Sequence, residues 1–247
     1  MAKIVNEKKE RKKILALIGV RSGSTGLKNK NILSLSGKPL MSWIIETAKK
    51  VHLIDRVIVS TDSRKYQRIA RKYGAETPFL RPKSISGKFS NEIEYIKHAI
   101  KYLEKKEKYN PDIVIRLLAT SPFQRYSDIK KAIKIYMNEK CDSVVIVSEA
   151  KQHPMKALKI IGKGNKKSLV GYFDNKGESA AGLPRQIFAK AYFRSNVIIF
   201  SPKLLKKNTM TGKVVKFLVI KSKKNIDIDE QTDFDFAQFL IKKFKKK

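Results

Sequence analysis

Apolar residues recur along this chain in two rhythms. Short contiguous runs bounded by turn residues read as buried strands: one from Ile14 that ends in Gly19 and Arg21, then Arg56–Ser60, Ile113–Leu118 and residues 143–147. Between them, apolar positions fall at helical spacing. Met41, Ile44, Ile45 and Ala48 mark one helix, with Trp43 expected in the core; a charged helix runs to Tyr73 with Gly74 as its stop. Ile93, Ile96, Ile100 and Leu103 mark a third, and Ile129, Ala132, Ile133 and Tyr136 a fourth. Strand and helix in alternation predict an α/β protein with a mainly parallel central sheet flanked by helices, and such sheets hold ligands at the carboxyl ends of their strands. From Glu149 to about Phe193 the pattern loosens around Gly162, Gly164, Gly171, Gly177 and Gly182. Residues 196–200 and 214–220 return to strand composition, and Phe234, Ala237, Leu240, Ile241 and Phe244 share a closing helical face, with Thr232 and Asp235 spaced as its start. The division that follows is a frayed basic arm over 1–13 and a single domain over 14–247, with an insertion at about 149–195 that protrudes from the sheet.

Composition narrows the class. A chain of 247 residues with 42% hydrophobic content can bury a substantial core. No apolar run approaches the roughly 18 to 20 residues that span a bilayer, and the start lacks the layout of a secretion signal, so no membrane partner and a cytoplasmic location are expected. The single cysteine, Cys141, cannot form an internal disulfide and is expected as a small buried residue. Lys and Arg number 55 against 22 Asp and Glu, a formal charge of +33. That field attracts any polyanion, nucleic acid included. The excess is mostly lysine spread along the chain and thickened at both ends, a distribution that suits a solvated surface better than a shaped groove.

Candidate chemistry gathers at three places. After the first strand, Gly19, Gly23 and Gly26 let main-chain N–H groups approach a phosphate, while Arg21, Lys28 and Lys30 supply positive charge. The spacing matches neither GxxxxGK[ST] nor GxGxxG. Near the other end, Asp227 and Asp229 alternate with Ile226 and Ile228, so in an extended segment both carboxylates share one face. That pair suits Mg²⁺ held together with waters and substrate phosphates, and equally suits a polar strand end before a helix. Thr120-Ser121-Pro122 closes the third strand, either as a ligand-facing turn or as a simple turn with Ser127 capping the next helix. His52, His98 and His153 lie too far apart for zinc-ligand spacing.

The order Arg21, Ser22-Gly23-Ser24-Thr25-Gly26, Lys30-Asn31 and Gly37-Lys38-Pro39-Leu40 resembles the amino-terminal signature of the CMP-sialic acid synthetases, the acylneuraminate cytidylyltransferases. Val59-Ser60-Thr61-Asp62, Leu80-Arg81-Pro82, Thr120-Ser121-Pro122, His153-Pro154, Arg185-Gln186, Arg194 with Asn196, and Ile226-Asp227-Ile228-Asp229 extend the resemblance over nearly the whole chain. It implies a Rossmann-like nucleotidyltransferase fold with a small dimerisation insertion, a homodimer, and transfer of CMP from CTP to the anomeric hydroxyl of an acidic nine-carbon sugar. It further implies catalytic roles for Arg21, Lys30 and Asp229, with Mg²⁺ at Asp227 and Asp229. Nucleotide contacts would come from Arg21, Ser22, Gly23, Lys30, Asn31, Arg81, Ser90 and Thr120, and sugar contacts from His153, Lys156, Gln186, Arg194 and Asn196. Arginine suits such a sugar because its fork binds carboxylate in bidentate fashion. The alternatives are an eight-carbon acid sugar and a non-catalytic polyanion-binding protein of the same fold. The sequence departs from the family at Thr25, where many members carry Lys, and at Lys88, Leu118, Gln124 and Val197.

Overall fold

The computed structural model describes residues 11–23, 26–173, 182–221 and 226–245. In chain order, β1 (Ile14–Gly19) leads through a short antiparallel pair, β2 (Ser34–Leu35) and β3 (Lys38–Pro39), into α1 (Leu40–Lys49). There follow β4 (Arg56–Ser60), α2 (Arg64–Lys72), α3 (Glu92–Glu107), β5 (Ile113–Leu118), α4 (Tyr126–Asn138) and β6 (Ser143–Glu149). A separate antiparallel hairpin, β7 (Leu158–Ile161) with β8 (Ser168–Gly171), precedes β9 (Tyr192–Phe200), β10 (Val215–Ile220) and α5 (Gln231–Lys245).

The six long strands form one sheet in the order β10-β6-β9-β5-β1-β4. Its pairings are parallel except around β9, which runs antiparallel to both β5 and β6. The chain leaves β6, makes its hairpin excursion and re-enters beside β6 with no crossover helix among the described residues, and it runs back in the opposite direction. Burial on both faces explains the contiguous apolar runs. Along β1, Ile14, Ala16 and Ile18 enter the cluster under α1, α2 and α4, while Leu15 and Leu17 enter the one under α3. Each Ile or Leu among them contributes about 1.5–3 kcal/mol when fully buried. A third cluster sits at one end, where α5 lays Phe234, Ala237 and Ile241 against Leu35, Leu40 and Ile228.

Several local expectations need correction. Ser127 caps nothing: α4 begins at Tyr126 with Arg125 before it and no side-chain cap, so Ser127 lies within the first turn. α5 is closed at its start by Asp233, whose Oδ2 accepts the N–H groups of Asp229 and Glu230 at 3.0 Å each, rather than by Asp235. Cys141 is half-buried at the margin of the core, its thiol pKa raised by burial. Trp43 packs half-buried against the end cluster and donates from Nε1 to the Leu35 carbonyl at 3.2 Å. β9 starts at Tyr192, ahead of the strand read at 196–200. Residues 1–10 of the predicted arm, together with Ser24 and Thr25, lie outside the described residues; Arg11 pairs with Asp55 at 3.1 Å, and the Lys13 N–H donates to Asp112 at 2.8 Å.

Candidate active site

β1 lies between β4 and β5, so the chain departs from it to opposite sides, and the crevice above the carboxyl ends of β1 and β5 is where an open parallel sheet receives a ligand. The loop after β1 is fastened on both flanks. The Val20 N–H donates to the Ser60 carbonyl at 2.9 Å, and the Ser22 N–H and hydroxyl both donate to the Asp62 carboxylate at 2.8 Å. From the other side, the amide of buried Asn31 donates to the Arg21 carbonyl at 3.2 Å. Asp62 is thus a positioning residue, a role that its place in Val59-Ser60-Thr61-Asp62 does not by itself reveal. Its signal is a carboxylate two residues beyond a strand end.

Far along the chain, residues 226–229 alternate as expected without forming a strand: Ile226 and Ile228 are buried, Asp227 and Asp229 exposed. The Ile228 N–H donates to the Thr120 carbonyl at 3.0 Å, which lays this segment over the β5 turn. Asp229 thereby reaches the amino-terminal loop, where its Oδ1 meets Lys30 Nζ at 2.7 Å across 199 positions of sequence. Gly26 closes the contact from beneath; a Cβ there would stand 2.7 Å from the Asp229 carbonyl oxygen.

Two adjoining cavities share Gly19, Arg21 and Leu118. The wider, about 430 Å³, is lined by Gly26, Lys30, Asn31, Ala119, Thr120, Asp227 and Asp229 as well. The narrower, about 160 Å³, runs toward α3 past Arg81, Ser90, Asn91, Glu92 and Tyr95. Arg81 is buried there. It donates from Nε to the Ser60 hydroxyl at 3.0 Å, bonds the Ser60 carbonyl through Nη2, and lies 4.5 Å over the Tyr95 ring. Burial lowers its pKa and raises that of the Tyr95 hydroxyl. Gly19 is required by this packing: a Cβ would stand 2.5 to 2.8 Å from the Tyr95 ring and hydroxyl. Ser90 accepts the Gly87 N–H at 2.9 Å. Lys28 is exposed and is not among the described residues lining either cavity.

Of the residues expected to touch nucleotide, Arg21, Lys30, Asn31, Arg81, Ser90 and Thr120 line these two cavities, whereas Ser22 and Gly23 shape the loop behind them. The expected sugar residues divide. His153 and Gln186 line a third cavity of about 400 Å³ with Glu149, Arg185, Phe188 and Lys190. His153 is buried and stacked on Phe188 at 5.0 Å; its Nε2 donates to the Ala189 carbonyl at 2.9 Å and its Nδ1 accepts the Met155 N–H at 3.3 Å. Both ring nitrogens are therefore committed to backbone. Arg185 ties the same segment to the end of β6, bonding Glu149 Oε1 at 2.9 Å and the carbonyls of Ala150 and Lys151. Asn196 donates to the Ser121 hydroxyl beside Thr120, Arg194 is exposed on β9 opposite Val147, and Lys156 ends a short turn of helix after His153.

A mostly parallel sheet whose switch point carries a cation-lined loop facing a carboxylate pair is a Rossmann-like fold, and the sequence profile makes it that of a nucleotidyltransferase. More narrowly, the chain belongs to the cytidylyltransferase family, whose sequence profile matches residues 15–165. Over 92% of its length it is 31% identical to an N-acylneuraminate cytidylyltransferase of Escherichia coli, and it spans about half, 52%, of that relative. It is 28% identical over 93% of its length to a pseudaminic acid cytidylyltransferase of Campylobacter jejuni, 97% of which is covered. Among solved structures, CMP:2-keto-3-deoxy-manno-octonic acid synthetase complexed with CTP aligns with a TM-score of 0.67 at 14% identity, covering 94% of this chain and 99% of that one, a likeness of fold. Among the described residues no helix is long and apolar enough to cross a membrane.

Proposed function

We propose that this chain transfers CMP from CTP to the anomeric hydroxyl of an acidic nine-carbon 2-keto sugar, sialic acid or a pseudaminic- or legionaminic-type relative, and releases pyrophosphate. The observation that carries the reading is the 2.7 Å contact of Lys30 with Asp229, because it accompanies two cations, Arg21 and Lys30, and two carboxylates, Asp227 and Asp229, around one cavity, the combination a metal-bound triphosphate calls for. The names of the aligned relatives, which make CMP derivatives of acid sugars, point the same way.

In this reading Arg21 and Lys30 hold the triphosphate in the wider cavity, with Asn31 and Asp62 fixing the loop that presents them. The base lies in the narrower cavity beside Arg81 and Ser90, because of the two adjoining cavities that one runs away from Asp227 and Asp229. Asp227 and Asp229 fit a hard divalent cation such as Mg²⁺: they are oxygen donors on one face of an extended segment, and among the described residues no cluster of three or more His, Cys, Asp or Glu competes to form a closed protein cage. When bound, that ion neutralises charge on phosphoryl oxygens. The sugar hydroxyl attacks the α-phosphorus in line as the bond to pyrophosphate breaks. Arg21 and Lys30 stabilise charge on the departing oxygens, so this is catalysis by positioning and electrostatics.

The sugar enters from the side of Thr120 and Ser121, where Asn196 is held, and Arg194 offers its fork to the sugar carboxylate. His153 orients the wall bearing Gln186 through its two backbone bonds, and Lys156 adds positive charge to that side. We also propose a homodimer through the β7–β8 hairpin, which exposes Ile160, Leu169, Tyr172 and Phe173. The decisive experiment is CTP-dependent pyrophosphate release over a panel of eight- and nine-carbon acid sugars. Turnover with a nine-carbon acid is expected, turnover with the eight-carbon acid alone would move the substrate class, and silence with every sugar and nucleotide would end the enzyme reading.

A further inference from the structure

A charged residue interrupts the apolar run of β5: Arg116, between Ile115 and Leu117, is 4% exposed. Burying a guanidinium is costly unless it is paired. Its partner is Glu92, the first residue of α3, whose Oε2 accepts from Nη2 at 2.8 Å; Nε and Nη1 are buried with no partner among the described residues. The two ends of this pair differ in exposure. The Arg116 side chain is 5% exposed and that of Glu92 36% exposed, and Glu92 lines the narrower cavity with Gly19, Arg81 and Tyr95. A carboxylate that accepts from a guanidinium turns acceptor oxygens, not donors, toward whatever else it meets.

We infer that the Glu92–Arg116 pair selects the base of the nucleotide, with Glu92 accepting from the exocyclic amine of cytosine and Arg116 positioning Glu92 without touching ligand. Uracil presents a carbonyl oxygen at the same place, an acceptor against an acceptor, and a buried polar mismatch of that kind is rejected far more strongly than a change of size. The pairing of a carboxylate with the cytosine N4 amine is the same one used in reading nucleic-acid bases. This rests on placing the base in the narrower cavity. A purely structural ion pair would neutralise Arg116 and favour the amino end of α3 equally well, so the test has to read base choice.

The test is equilibrium binding of CTP and of UTP, each with Mg²⁺ and no acceptor sugar, to the full-length protein and to folded variants matched by circular dichroism. The unsubstituted protein is expected to prefer CTP by tenfold or more. In Glu92→Gln, whose amide can donate as well as accept, that ratio should fall at least tenfold through both weaker CTP and stronger UTP binding. Arg116→Met should lose the preference, and Arg116→Lys should restore part of it. A ratio unchanged in Glu92→Gln, or no preference in the unsubstituted protein, overturns the inference while leaving the triphosphate site intact. Binding of neither nucleotide defeats the functional reading itself, and this inference with it.

Discussion

Asp229 draws its position from backbone contacts on either side and keeps its carboxylate outside, 75% exposed beside Lys30. Replacing it with Asn should therefore barely change the melting temperature. Pyrophosphate release should fall by about 100-fold or more, the scale of losing one charge-stabilising group in an active site. Retention of most turnover in Asp229→Asn would remove the carboxylate from the mechanism. Gly26→Ala tests the same junction by volume alone: with a Cβ 2.7 Å from the Asp229 carbonyl, the two loops must part, and KM for CTP should rise more than kcat falls. At this scale the sequence shows which residue types are present: Arg21 and Lys30 are legible as cations flanking a glycine-rich loop after the first strand, and Asp229 as one of two carboxylates alternating with isoleucines in a chain short of acids. The interruption of the apolar run IVIRLL by Arg116 was equally visible, yet its meaning depends on Glu92 of α3, a pairing that no local spacing encodes.

Strands and helices were the most legible level, because burial on two faces forces apolar runs and burial on one face forces a helical period. Leu17, fully buried at the centre of β1, offers the direct check. Leu17→Ala should destabilise the fold by about 2–5 kcal/mol in urea titration, with an unchanged m-value. On α3, half-buried His98 stacks edge-on against Phe79 at 4.8 Å with Nδ1 unpartnered among the described residues; burial first, then nearby Arg81, lowers its pKa. A folded-state value below the unfolded one, about 6.5, means that the unfolded chain takes up the proton first. Stability is then full above that value and lost as pH falls below it. Melting temperatures measured from about pH 7 to 5 should decline less steeply in His98→Phe than in the parent, and parallel curves would exclude His98 as a source of the acid slope. Helix starts differ from the expected ones where capping decides them. Ser127 and Asp235 have suitable spacing, but a cap is defined by which N–H groups stay unpaired once the chain has turned: α4 starts after Arg125 with no side-chain cap, and at α5 the turn brings Asp233 to those groups instead.

For the molecule as a whole, the charge of +33 and the exposed hairpin are the two features on which solution behaviour turns. If the lysines are a solvated surface, duplex DNA should bind weakly and release as salt approaches about 0.2 M, with Asp229→Ala making no difference. Tight binding at that salt from a protein silent toward CTP would support the polyanion reading. The hairpin predicts a dimer in sedimentation velocity that Ile160→Lys with Leu169→Glu converts to monomer; a parent already monomeric at micromolar concentration would refute the interface. The sequence by itself determined the class of fold, the strand ends around which the candidate site is built, and the identity of the cations and carboxylates there, since hydrophobic period and residue chemistry are local properties. Only the tertiary structure decided that Lys30 meets Asp229, that β9 runs against its neighbours, that Asp62 pins the loop, and that Glu92 opens onto the cavity under which Arg116 is buried. Those are contacts between segments tens to hundreds of residues apart, fixed by the order of strands in the sheet, which pattern along the chain does not specify.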